Sequence, residues 1–157
     1  MPAPLSGRKA QAARNDGLIV EAAREVFVAD PTAPIAAVAE RAGVGISALY
    51  RRHGSKEDLL RTLCTDGLQR FIAVAQAALA REDDAGEAFA QFLHGIVAAD
   101  THSLTVSLAG TFTSTPELRE LAGRAGELSA AIVDRAHAAG ALRPDVVAAR
   151  RRPATTS

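Results

Sequence analysis

The chain is poor in several residue types, and each shortage excludes something. It has one cysteine, Cys64, so neither an intramolecular disulfide nor a multi-cysteine zinc cage can form, and a reducing compartment is expected. It has no tryptophan and only 4% aromatic residues, which leaves little of the bulky side chain that strands favour. Its longest apolar run, "FIAVAQAALA", is far shorter than the roughly 20 residues needed to cross a bilayer, so no membrane partner is expected. The opening "MPAPLSGRKAQAARN" lacks the apolar core of a secretory signal. These features together predict a cytoplasmic protein. Net charge is also missing, with 18 Lys and Arg against 18 Asp and Glu. The balance is uneven along the chain. Residues 1–62 hold nine basic and seven acidic side chains, residues 63–149 hold six and eleven, and "RRR" follows at 150–152. A mildly basic first third is compatible with a polyanion partner but does not establish one.

Alanine and aliphatic residues are plentiful, and their spacing is helical. The first dozen residues, rich in Ala and Pro, read as a loose arm. From Arg14 onward, Leu18, Ile19, Ala22, Ala23, Val26 and Phe27 make one apolar stripe. "ADPTAP" ends that helix, and Pro34 suits the first turn of the next because no amide donor is needed there. Ile35, Val38, Ala39 and Ala42 form the inward face of this second helix, and Gly43 supplies the backbone freedom for a tight reversal. In the third helix Ile46, Leu49 and Tyr50 fall on one side, Ala48, Arg51 and Arg52 on the other, and Ser47 on the flank. Ser55 followed by Asp58 resembles a capping box opening a long fourth helix along Leu60, Leu63, Cys64, Gly67, Phe71, Val74, Ala75 and Ala78. After the polar "REDDAG", Ala88, Phe89, Phe92, Leu93, Ile96 and Val97 outline a fifth helix. Leu104, Leu108 and Phe112 outline a sixth. "TSTPE" starts another along Leu118, Leu121, Ala122, Ala125, Leu128 and Ile132, with Gly140 as its stop. No strand-like alternation of useful length occurs, so the fold class is all-α.

Three short helices with a glycine turn between the second and third suit a helix-turn-helix reader of DNA. Ile46 and Leu49 would anchor the third helix on Val38 and the first helix. Arg51 and Arg52 carry donors that phosphates or guanine edges accept, and the Tyr50 hydroxyl can reach a phosphate. Lys56 and the amides that start the fourth helix would meet the backbone. Plainer readings remain open beside these. The arginines suit a solvated face, Tyr50 suits core packing, and Lys56 suits the flank of a cap. His53 reads as a structural filler rather than a pH switch. Cys64 reads as a small core residue, with a redox sensor as the alternative. Phe89, Phe92, Leu108 and Phe112 are core residues first and, in a ligand-responsive protein, lining of its pocket. His94, His102 and His137 lack the spacing of a zinc site, so no metal is expected. No nucleophile–base set, paired carboxylates or phosphate-cradling loop stands at a recognisable spacing, so neither an enzyme nor a cofactor is expected.

"IVEAAREVF", "PIAAVAERAGV" and "LYRRHGSKEDLL" resemble the DNA-binding domain of TetR-family bacterial transcriptional regulators, closely over about residues 13–62. The resemblance implies a homodimer on a palindromic double-stranded operator, acting as a repressor that a small-molecule effector releases. It implies a recognition helix at about 45–51, DNA contacts from Ser47, Ala48, Tyr50 and Arg51, and a phosphate on Lys56. It also implies a three-helix DNA-binding domain joined by a long fourth helix to a helical effector and dimerisation domain. The expected organisation is an arm at 1–12, the DNA-binding domain at 13–72 with its motif at about 34–53, a helical domain at 73–143 and a basic, disordered tail at 144–157. Departures are His53 where the family usually has phenylalanine, and Ala33 and Pro34 where it often has a hydroxyl. Family members also continue with two further helices that form much of the dimer interface. The C-terminal domain is therefore expected to be incomplete and the dimer weakened or altered. The alternative is a truncated or monomeric remnant that serves only as a ligand-binding or interaction module.

Overall fold

The computed structural model describes residues 7–82, 84–99, 110 and 112–146. Among the described residues there are six helices and no strand: α1 (Gly7–Ala29), α2 (Ile35–Ala42), α3 (Ile46–Arg52), α4 (Lys56–Ala80), α5 (Ala85–Ala99) and α6 (Pro116–Ala138). The chain divides into two compact units, one of Met1–Asp66 with Ser103–Ser114 and one of Gly67–His102 with Thr115–Ser157. The sixth helix anticipated around Leu104 and Leu108, and the "RRR" run, lie outside the described residues.

In the first unit α1 packs on α2 and α2 on α3. Ile19, Ala22, Ala23 and Phe27 of α1 are buried, as are Val38 of α2, Leu49 of α3, and Leu59, Leu60 and Leu63 of α4. The stripe on α1 is narrower than its periodicity predicts, since Leu18 is exposed. The helix also begins at Gly7, so residues 7–12 are helical rather than part of a loose arm. The physical reason is local. "RKAQAAR" consists of strong helix formers, and Gln11 donates to Asn15 at 3.0 Å while Arg14 donates to Gln11 at 2.8 Å, one turn apart along the surface. Arg24, which the apolar pattern hides, is buried and holds the Asp66 carboxylate at 2.6 Å and that of Glu21 at 3.2 Å. That pairing ties α1 to α4 within the first unit.

The second unit has a core of Ala75 and Ala78 from α4, Phe92 from α5 and Ile132 from α6. Phe71 meets Phe92 edge to face, with ring centres 5.5 Å apart. Gly95 of α5 lies so close to α4 that a Cβ there would stand 2.6 Å from Val74 Cγ1. Leu93 and Val97, expected on the inward stripe of α5, are exposed. Thr115 caps α6 by accepting from the Leu118 amide at 3.2 Å, with Pro116 following as the first helical residue. Gly140, at φ 70°, lets the chain turn away after α6. The Arg135 guanidinium donates to the carbonyls of Ala78, Leu79 and Arg81 around the end of α4.

Candidate nucleic-acid interface

The turn between α2 and α3 determines what α3 presents. Gly43 adopts the left-handed conformation at φ 68° and ψ 29°, a region that side chains with a Cβ enter at an energetic cost. Its amide donates to the Ala39 and Glu40 carbonyls, and the Val44 amide reaches Ala39 at 3.1 Å, so α2 stops abruptly. Only Val44 and Gly45 then separate the bend from α3. One residue of α3, Leu49, is fully buried, and it anchors the helix. The sequence pattern places Ile46 beside it as a second anchor, but Ile46 is 44% exposed. A seven-residue helix has room for one deep contact, and Leu49 takes it.

The rest of α3 faces outward. Ser47, Tyr50 and Arg51 are exposed, and Ala48 is half-buried. Tyr50 is 45% exposed and so is not part of the buried core. Arg51 makes a long hydrogen bond to its own helix, from Nε to the Ser47 carbonyl at 3.4 Å. Arg52 leans towards Asp16 of α1, its Nη1 4.0 Å from the carboxylate. Arg51 and Arg52 therefore sit side by side but are held differently.

Lys56 stands apart from the expectation of a free phosphate ligand. Its ammonium donates to the Ala33 carbonyl at 2.7 Å and lies 5.3 Å from the centre of the Phe27 ring. The carbonyl and the ring face offset its partial burial, so Lys56 staples the α1–α2 connection to the start of α4. Ser55 caps α4 as anticipated, accepting from the Asp58 amide at 3.1 Å. His53 is buried and fills the corner after α3, its Nε2 lying 3.5 Å from Asp16 Oδ1 without a hydrogen bond.

Of the four residues considered for an effector pocket, Phe89 and Phe92 belong to the second unit and Phe112 to the first. Phe92 is buried in the second unit's core, with Phe89 partly buried against it. Phe112 belongs to the first unit, where it lines a cavity of about 570 Å³ together with Pro31, Lys56, Glu57, Leu60 and Thr113. Leu108 lies outside the described residues. Residues 19–63 match the family model described as bacterial regulatory proteins of the tetR family.

Over that segment the chain resembles the TetR family. Three solved structures extend the likeness beyond the matched segment. A TetR-family transcriptional regulator, PfmR, from Thermus thermophilus is 25% identical with a TM-score of 0.63, over 83% of this chain and 76% of its own. A TetR transcription regulatory protein from Mycobacterium vanbaalenii is 29% identical with a TM-score of 0.63, over 89% and 86%. LfrR, a TetR-like regulator from Mycobacterium smegmatis in complex with proflavine, is 25% identical with a TM-score of 0.65, over 90% and 74%. A comparison with curated proteins finds no match. Over these spans the chain resembles DNA-binding transcriptional regulators with a helix-turn-helix. No helix among the described residues is long and apolar enough to cross a membrane.

Proposed function

We propose that this chain is a TetR-type, ligand-responsive repressor that reads a two-fold symmetric operator as a homodimer, with α3 entering the major groove. The observation that carries the proposal is the outward face of α3, where Ser47, Tyr50 and Arg51 stand exposed after the left-handed Gly43. Arg51 is the strongest candidate for a base or phosphate contact because its guanidinium makes a long bond to its own helix, whereas Arg52 leans on Asp16. Ser47, Ala48 and Tyr50 would fit against the groove around it. Arg52 would serve a phosphate beside the groove while braced by Asp16. Lys56, committed to Ala33 and Phe27, would act by holding the start of α4 in place rather than by gripping a phosphate alone. Residues 13–72 would form the DNA-binding domain and residues 73–143 the domain for dimerisation and the effector. The proflavine held by LfrR supports a small-molecule effector for this relative.

The test is selection from a random duplex library by the purified protein, with light scattering on the same sample. A homodimeric reader enriches a motif with two-fold symmetry, because two rigidly linked heads meet two half-sites about one helical turn apart. No enrichment at low salt, or an asymmetric motif bound by a monomer, would overturn the proposal.

A further inference from the structure

Beside α3 lies a second feature that the helix-turn-helix does not include. The part of α1 that extends ahead of the expected start runs next to α3, and the two helices frame an open groove of about 530 Å³. Arg8, Gln11 and Asn15 line one wall, and Arg51 and Arg52 the other. Ala12 and Ala48 lie between them, small enough to leave the channel open. Three arginines therefore line one groove, and among the described residues no carboxylate lines it. Asp16 of α1 lies 4.0 Å from Arg52 and 3.5 Å from His53. On the α1 wall, the chain of hydrogen bonds from Arg14 to Gln11 to Asn15 orders the surface before any ligand arrives.

We infer that this groove binds the sugar–phosphate backbone of the duplex that α3 reads, with Arg8 as an additional phosphate ligand. The inference rests on the reading of α3 as the DNA-contacting helix and deepens it. The chemistry of the occupant follows from the walls. A cluster of guanidinium groups without a counter-carboxylate attracts a polyanion, and guanidinium matches phosphate geometry. The position follows from size. The major groove is about 12 Å wide, and one helix with its side chains, about 10–12 Å across, fills it. A helix running beside α3 therefore cannot share the groove floor and meets the phosphate wall instead. Arg8 is exposed near the start of α1, where its long side chain can follow that wall.

The experiment is a fluorescence anisotropy titration over a range of salt concentrations. It uses the full chain with the duplex enriched by selection and a scrambled duplex of equal length. Arg8→Ala is expected to weaken both duplexes by the same factor, roughly tenfold per bound protomer near 0.1 M salt, and to reduce the slope of log K against log salt by about 0.9 per protomer. Arg8→Lys, which keeps the charge, is expected to restore most of the slope, and Arg8→Glu to weaken binding beyond the alanine variant. Unchanged affinity and slope in Arg8→Ala and Arg8→Glu, with binding lost in Arg51→Ala/Arg52→Ala, would overturn the groove while leaving the reading of α3 intact. A loss confined to the selected duplex would overturn the backbone assignment by making Arg8 a base reader. Wild-type protein that binds neither duplex would remove the reading of α3 itself, and the groove with it. Arg8 is exposed, so circular dichroism of its variants is expected to match wild type, and the salt slope reports contact independently of stability.

Discussion

Cys64 sits buried on α4, and burial pushes its thiol up to about 11. The neutral thiol is a poor nucleophile and a poor redox sensor, because the thiolate is the reactive form. The folded protein at pH 8 is expected to react with a disulfide reagent at least tenfold more slowly than the same protein in denaturant. Equal rates in the two states would contradict the burial. The sign of the linkage follows from the same shift: the group's contribution to stability is complete below the ordinary thiol range and is lost as pH rises towards 11. Lys56 teaches a different lesson at this scale. The local sequence shows only a cation flanking a cap. In the fold its partner is the Ala33 carbonyl, 23 positions earlier, which no local pattern encodes. Arg24 is similar, since an arginine inside an alanine-rich stripe gives no sign of the Asp66 carboxylate 42 positions away.

At the scale of elements, starts and stops are local chemistry and were legible. Thr115–Pro116 begins α6, Ser55 begins α4, Gly43 ends α2 and Gly140 follows α6, each through contacts within a few residues. The width of each buried stripe was less legible. Periodicity marks a face, but which edge of that face meets a neighbour depends on the other helices. Leu18, Ile46, Leu93 and Val97 all follow the apolar period and all are exposed. Gly95 was invisible for the same reason, because its importance lies in the approach of Val74 from another helix. Gly95→Ala is expected to lower stability by roughly 1–3 kcal/mol, since the new methyl must displace a stiff β-branched side chain in a packed core. A thermal or denaturant melt reads this directly, and a neutral or stabilising result would mean that α4 and α5 separate easily. The early start of α1 belongs at this scale too. Strong helix formers continue past the apolar stripe, so the helix is longer than the burial pattern that reveals it.

At the scale of the whole molecule, zero net charge conceals how charge is placed. The acidic excess falls after residue 62, whereas α1 and α3 bring Arg8, Arg51 and Arg52 to one groove. A neutral chain can in this way carry a locally cationic surface, which is what contact with a polyanion requires. The helix-turn-helix was legible because its turn, cap and apolar anchors lie within some thirty consecutive residues. An effector pocket is harder to read in a sequence, because any pocket is assembled from separate helices; of the residues expected to line one, Phe89 and Phe92 belong to one unit and Phe112 to the other. The central claim is that the outward face of α3 meets the duplex. Its most direct measurement is the affinity of wild type and Arg51→Ala/Arg52→Ala for the selected duplex across a salt series, with circular dichroism alongside. The expected result is an intact fold, a loss of roughly a hundredfold or more in affinity and a shallower salt slope. An intact fold with unchanged affinity and slope would show that another surface binds DNA.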